Sequence, residues 1–372
     1  MAGDRLTVLH INTERSFRGG EVQTVLLARE LAKRGHRNTV FAQAHAPLAH
    51  RAREEGLSAV ELSMRGEWDA LAAWHLRTAI RRLRPDVLHA HTPHAGAVAL
   101  LARFPKKHPA VVLSRRVSFP IRKNFLSAYK YRSVDAVLAV SHAVADELVE
   151  QGLDEERIHV AEDGTDFAPF QAMRPRGDVR AELGIPPQAF VVGNVGYFDR
   201  NKGQRALIDV FLDLASLHLD RPMVLLLVGG GPLLRACKHS AHRRNLADRV
   251  VFTGERRNVA DLYGAMDVFF LSTLTMLEGW SGVLTEAMAA GLPAVATRRP
   301  VTLERIRDGE SGLLVSARHR EEWLKAIDAL YRDPGLRARL GAEGKKHALQ
   351  FTPERLADKT EACYRAALDA RP

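Results

Sequence analysis

The sequence predicts an α/β fold of two doubly wound, Rossmann-like domains facing across a cleft. Three observations predict it. Short apolar runs alternate with helix-period segments through the first half of the chain. A turn-rich interruption containing Pro169, Pro175 and Gly177 follows Thr165-Asp166-Phe167. The same alternation then begins again. Short apolar runs separated by helices belong to parallel strands that are covered on both faces. A chain of 372 residues is also too long for one ordinary core.

In chain order, Leu6-Thr7-Val8-Leu9-His10-Ile11 is the first strand. Glu21 to Arg34 is a helix, with Val25, Ala28, Leu31 and Ala32 on one side and a stop at Gly35. Strands follow at 38–42, 86–90, 110–114 and 136–140. After the interruption, prolonged by Leu183-Gly184-Ile185-Pro186-Pro187, strands are expected at 190–195, 223–228, 250–252, 268–271 and 293–297. The expected division is residues 1–172, with a final helix at 353–372 returning to them, and residues 173–352. In open parallel sheets ligands sit beyond the carboxyl ends of the strands, so the loops there should hold the chemistry.

Composition narrows the class. The chain is 46% hydrophobic and 26% charged, as in a globular protein. No apolar run reaches the roughly 18 residues that span a bilayer. The start lacks the pattern of a signal peptide. Cys237 and Cys363 suggest neither a disulfide framework nor a metal site. A cytoplasmic location is expected. The formal charge of +10 is concentrated between Leu101 and Arg132, where nine basic residues and no acidic one occur. These are Arg103, Lys106, Lys107, Arg115, Arg116, Arg122, Lys123, Lys130 and Arg132, with Phe104, Phe119, Phe125, Tyr129 and Tyr131 among them. Such a stretch suits an anionic membrane face, a phosphorylated acceptor or a solvated surface.

Gly19-Gly20 before Glu21 open the first helix and let backbone N–H groups approach an anion; Glu21 also complements the helix dipole. Gly196 to Gly203 follows the first strand of the second half, and Lys202 there offers a compact charge to a diphosphate or is a solvated loop lysine. Gly229-Gly230-Gly231-Pro232 ends the next strand, and Gly254 the one after it. His89, His91 and His94 cluster after another strand, where such residues line a cleft, fill a core or bind zinc; no Cys or acid completes a zinc site. The most specific segment is Leu277-Glu278-Gly279-Trp280-Ser281-Gly282-Val283-Leu284-Thr285-Glu286. It holds two glutamates with seven residues between them, ahead of a small-residue helix and a Gly-Leu-Pro stop. Ser281 is placed to cap that helix, leaving the N–H groups of Gly282, Val283 and Leu284 for an anion.

This frame resembles the nucleotide-sugar signature of the retaining glycosyltransferases of family 4, which have the GT-B fold. The resemblance covers nearly the whole chain. It implies that Glu286 takes two ribose hydroxyls and that Glu278 holds donor-sugar hydroxyls. It also implies that the Gly19-Gly20 loop, Lys202, Gly231 and Gly254 lie near the nucleotide diphosphate. The chain departs from the family at three places. Tyr197 stands where relatives have Arg, and Arg200 is the candidate substitute. Trp280-Ser281 replace Phe-Gly. Arg115-Arg116 stand where relatives have His, so a protein base is in doubt, since Arg cannot act as one. His91 and Arg116 are the catalytic candidates of the first domain, beside Glu278.

The resemblance implies a retaining, metal-independent glycosyltransferase that uses no cofactor beyond its nucleotide-sugar donor. The expected acceptor is a hydroxyl of a cell-envelope glycolipid or polysaccharide of the lipopolysaccharide type. Residues 101–132 are the candidate contact with an anionic membrane, which would make the protein peripheral on its inner face; no nucleic-acid partner is expected. A sugar-nucleotide 2-epimerase shares the two-domain fold, and a non-catalytic nucleotide-sugar binding module is the other alternative.

Overall fold

The computed structural model describes residues 5–370 apart from 106, 107, 122, 123, 219, 247, 257 and 277. Lys106, Lys107, Arg122, Lys123 and Leu277 of the sequence reading therefore lie outside the described residues. Two compact units divide the chain: Met1–Gly164 with Phe351–Pro372, and Thr165–Gln350. The sequence places the first division at 172; the structure places it at Gly164. Phe167 and Phe170 explain the difference, because both pack on the core of the second unit.

The first unit is built on seven strands: β1 (Thr7–Asn12), β2 (Arg37–Gln43), β3 (Ser58–Leu62), β4 (Val87–Ala90), β5 (Ala110–Arg115), β6 (Ala136–Ala139) and β7 (Ile158–Val160). Their order is β3-β2-β1-β4-β5-β6-β7, and every pairing is parallel. The edge strands β3 and β7 are additions to the sequence reading. Both are short, and β3 exposes alternate residues, so neither reads as a buried apolar run. The helix Pro353–Asp369 packs on this unit: Leu356, Ala357, Cys363 and Tyr364 share a core with Val8, Leu31, Val112 and Leu138. Burial pushes the Cys363 thiol up to about 12, so it is an inert packing group.

The second unit repeats the scheme with β8 (Phe190–Val195), β9 (Met223–Val228), β10 (Val250–Gly254), β11 (Val268–Leu271), β12 (Ala294–Thr297) and β13 (Leu313–Val315) in the order β10-β9-β8-β11-β12-β13. Alternation along β8 sends Phe190 and Val192 to one core and Val191 and Val195 to the other. Each sheet reverses its winding once, between β1 and β4 and between β8 and β11. These are the switch points at which open α/β sheets receive ligands. No helix among the described residues is long and apolar enough to cross a membrane.

Candidate active site

At the switch point of the second unit, the loop after β8 and the loop after β11 are tied together. Asp199 Oδ1 accepts from the backbone N–H groups of Asn201 at 2.8 Å and Lys202 at 3.1 Å, forming a tight turn. Leu274 N–H donates to the Asn201 carbonyl at 2.7 Å, and Ser272 Oγ donates to the Lys202 carbonyl at 2.6 Å. Gly203 is required here. Its φ is +68°, and a Cβ would lie 2.1 Å from the Ser272 carbonyl oxygen. At Gly231, φ +141°, a Cβ would lie 2.6 Å from the backbone of Phe198. So the glycine-rich turn after β9 shapes the loop after β8; Gly254, which ends β10, has open space beside it.

This stitching brings Lys202 and Glu278 into contact. Lys202 Nζ donates to Glu278 Oε1 at 2.7 Å, and Thr273 Oγ1 donates to Oε2 at 2.7 Å. Two residues 76 positions apart, each expected at a donor, thus meet at one point. Arg200 does not join them: it is exposed and makes no hydrogen bond or ion pair among the described residues.

The helix Gly282–Ala289 starts beside Glu278. Ser281 occupies its N-cap position, yet its hydroxyl makes no capping bond and is buried without a partner. The expected cap is therefore corrected: Ser281 sits at the N-cap with φ −118° and ψ 89°, and its Oγ makes no bond to the first-turn N–H groups. The N–H of Leu284 is also taken, by the Ser281 carbonyl at 3.1 Å. That leaves Gly282 and Val283 as the N–H groups open to an anion. Trp280 packs inward, with the buried Arg305 guanidinium 3.8 Å from its ring centroid. One turn into the helix, Glu286 Oε2 accepts from the Tyr263 hydroxyl at 2.8 Å. Burial raises the Glu286 carboxyl above its ordinary value, and the Tyr263 bond opposes the rise.

In the first unit, the helix Gly19–Lys33 begins with Gly19 and Gly20, both with open space where a side chain would be. Glu21 does more than complement the dipole. Its carboxylate accepts from the Arg18 backbone N–H at 2.9 Å and from Asn12 Nδ2 at 3.3 Å. At the switch point His10, His89 and His91 converge, all buried. Arg116 Nη1 lies 3.2 Å from His91 Nδ1, His91 Nε2 lies 3.0 Å from His10 Nδ1, and His10 Nε2 lies 3.0 Å from Asn38 Oδ1. Arg only donates, so His91 Nδ1 accepts. His91 Nε2–H then donates to His10, and His10 Nε2–H to Asn38. One donor thus sets both tautomers. Burial, helped by the Arg116 charge, holds His10 down at about 4 and His89 and His91 well below the usual histidine range.

The three rings offer nitrogens within 4.8 Å of one another, but their partners do not suit a metal. A ligating histidine donates its other N–H outward, and His91 faces a guanidinium that cannot accept. His89 is enclosed by the Tyr364 hydroxyl at 2.6 Å and Ser114 Oγ at 2.7 Å. Both nitrogens of His91, expected as a catalytic group, are engaged inside the protein, by His10 and by Arg116. Arg116 Nε also donates to Asp163 Oδ1 at 3.1 Å.

Comparison with known proteins follows this geometry. Residues 175–347 match the family Glycosyl transferases group 1, and residues 17–168 match Glycosyltransferase Family 4. The chain belongs to these glycosyltransferases. A D-inositol 3-phosphate glycosyltransferase of Rhodococcus jostii is 30% identical over 76% of this chain and 66% of its own length. The lipopolysaccharide core biosynthesis glycosyltransferase LpsE of Rhizobium meliloti is 29% identical over 75% of each chain. The crystal structure of Anabaena HepE in complex with UDP superposes with a TM-score of 0.84 at 20% identity, over 96% of this chain and 99% of that one. The two-domain GT-B architecture is thus that of known glycosyltransferases.

In this glycosyltransferase the described basic residues of the stretch 101–132 are mostly engaged by the fold. Arg103 pairs with Asp135, Lys130 with Glu67 and Arg116 with Asp163. Arg115 is buried against the Tyr131 hydroxyl and the Phe119 carbonyl. Of the described basic residues there, only Arg132 is exposed. The stretch contains no acid, but the fold brings acids to it from elsewhere. The residues missed in the sequence are His10, Asn38, Thr273, Asp163 and Tyr364. His10 and Tyr364 lie inside a strand and a helix and carry no local signal; only an apolar run interrupted by a histidine hinted at the first.

Proposed function

We propose that this glycosyltransferase transfers a sugar from a nucleotide diphosphate, with retention at the anomeric carbon, to a hydroxyl of a cell-envelope saccharide. The observation that carries the reading is the convergence of Lys202, Thr273 and Glu278 at the switch point of the second sheet, beside the helix that bears Glu286. Lys202 and the N–H groups of Gly282 and Val283 supply positive charge for a diphosphate. Glu278 supplies acceptor atoms for sugar hydroxyls, and Glu286 for a ribose. The UDP complex of the Anabaena structure supports a uridine nucleotide as the first donor to test.

In the reaction, the bond between sugar C1 and the distal phosphate oxygen breaks. A bond from C1 to the acceptor oxygen forms on the same face, and the acceptor proton passes to the departing diphosphate. That path needs no protein base, in keeping with His91 being engaged internally and Arg116 being unable to accept a proton. No metal is included in the proposal, because Lys202 and the helix start are placed to meet the diphosphate charge. The lipopolysaccharide core named for one relative supports an acceptor of the cell-envelope type, while the inositol 3-phosphate named for another is an anion, and Arg116, held just past the carboxyl end of β5, suits an acceptor that carries a negative charge.

A thermal-shift screen of UDP-, GDP- and ADP-sugars, followed by turnover with envelope saccharides and anomeric analysis of the product by NMR, tests the reading. The expected result is stabilisation by one nucleotide class, EDTA-insensitive transfer and an unchanged anomeric configuration. No binding by any of the three, or an inverted product, overturns it.

A further inference from the structure

The proposed function gives Lys202 and Glu278 different parts of a donor, the diphosphate and the sugar, yet the two side chains bind each other at 2.7 Å. The pair is partly enclosed, with side-chain exposures of 26% and 10%. The Lys202 end is fixed by the Asp199 turn and by the Ser272 and Leu274 bonds, and the Glu278 carboxylate is held by Thr273 Oγ1 at 2.7 Å. A diphosphate that reaches Lys202 therefore arrives beside that carboxylate.

We propose that the Lys202–Glu278 pair discriminates the nucleotide sugar from the nucleoside diphosphate it leaves behind. The proposal rests on the nucleotide-sugar reading above. In a nucleotide sugar, the distal phosphate is a diester with a single negative charge, and the sugar carries hydroxyls. Lys202 turns to the phosphate, and sugar hydroxyls replace it as donors to Glu278, so the carboxylate stays satisfied. In the free diphosphate, the distal phosphate is a monoester carrying roughly −1.5 to −2 charges. Lys202 again turns to the phosphate, but no hydroxyl takes its place on Glu278. An ionised carboxylate only accepts. It is left with Thr273 as its donor and faces a more strongly charged anion across a short gap, where like charges repel. Glu278 thus holds the substrate and weakens the product. Transfer itself changes the sign of its contribution and favours release.

This predicts a gain of binding from a substitution inside the site. Glu278→Gln keeps the shape and the Thr273 bond and removes the charge. Calorimetry with UDP, GDP and ADP, and with the corresponding glucose nucleotides, reads both sides of the discrimination. For the nucleotide that wild type prefers, the free diphosphate should bind the variant roughly tenfold tighter, an effect of the size expected for one like-charge contact in a partly buried site. The nucleotide sugar should bind no tighter, and product inhibition should deepen as kcat falls. Glu278→Ala should move diphosphate affinity in the same direction, which covers a failure of the first variant to fold. A site that merely needs Glu278 for its structure would lose affinity for both ligands. Unchanged or weakened diphosphate binding in both variants overturns the inference and leaves the nucleotide-sugar reading intact. Failure of wild type to bind any diphosphate or nucleotide sugar overturns that reading and the inference together.

Discussion

The two switch points of this protein have the same topology and opposite character. Between β1 and β4 the polar groups are saturated from within. Three neutral histidines, Asn38, Tyr364 and Ser114 exchange hydrogen bonds, and Arg116 is clamped by Asp163 and His91. Between β8 and β11 the groups are charged and partly exposed, and they hold one another only until something better arrives. The parallel sheet supplies a place for ligands, and the side chains there decide whether that place is a rigid wall or an exchangeable set of charges. In the first region the arginine is already fixed, so under the proposed function it would orient an acceptor at little entropic cost. The second can respond to its ligand.

Breaking the rigid side should cost most. Arg116→Ala removes the guanidinium that Asp163 accepts from and the donor that sets the His91 and His10 tautomers. Loss of one partner of an enclosed pair costs up to about 3–5 kcal/mol. Urea unfolding should show a loss of that order, and nucleotide affinity in the surviving folded protein should not change. A loss under about 1 kcal/mol would mean that the clamp is not the support described.

The histidine cluster should make the first unit acid-sensitive. His10 is held at about 4 against 6.5 when unperturbed. Between those values the unfolded chain binds a proton that the native chain does not, so stability rises with pH and is lost on acidification from 6.5 toward 4. The contribution is on the order of 3 kcal/mol. Denaturant titrations across that window should show the slope in wild type and a flatter one in His10→Gln. An equal slope in both would place the protonation elsewhere.

On the exchangeable side the effects should appear in binding. Glu286→Gln should weaken nucleotide binding roughly ten- to a hundredfold, as expected for charged hydrogen bonds, while the midpoint of thermal unfolding holds or rises. The sign follows from burial, which raises the Glu286 carboxyl: in the native state the ionised form is disfavoured, and stability is lost as pH rises through the raised value. Nucleotide affinity should fall on acidification, starting above the ordinary glutamate range. Unchanged affinity in the variant would remove Glu286 from the site. The smallest expected effect is that of Lys202→Ala, about tenfold on nucleoside diphosphates and less on monophosphates. Equal losses for both would displace Lys202 from the distal phosphate.

The sequence by itself determined the alternation of strands and helices, the restart after Thr165 and the segment from Glu278 to Glu286. Each is a local pattern, set by apolar runs, by glycines where the backbone passes close to a neighbour, and by two carboxylates at a fixed spacing along one loop and helix. Gly203 shows what the fold adds: the sequence sets a glycine after Lys202, and the Ser272 carbonyl, 2.1 Å from where a Cβ would lie, supplies the reason. Which charges meet was decided only by the tertiary structure. Lys202 finds Glu278, Arg116 finds Asp163 and Lys130 finds Glu67 across separations of 76, 47 and 63 residues. The stretch from Leu101 to Arg132 contains no acid, and the counter-charges of Arg103, Arg116 and Lys130 are remote in the chain. Ser281 looked like a cap because its residue type favours one, yet its hydroxyl is buried and makes no capping bond. A linear pattern fixes which residues face a common side of one element. Electrostatic pairing depends on distances of a few ångströms between elements, and those exist only once the sheets have formed.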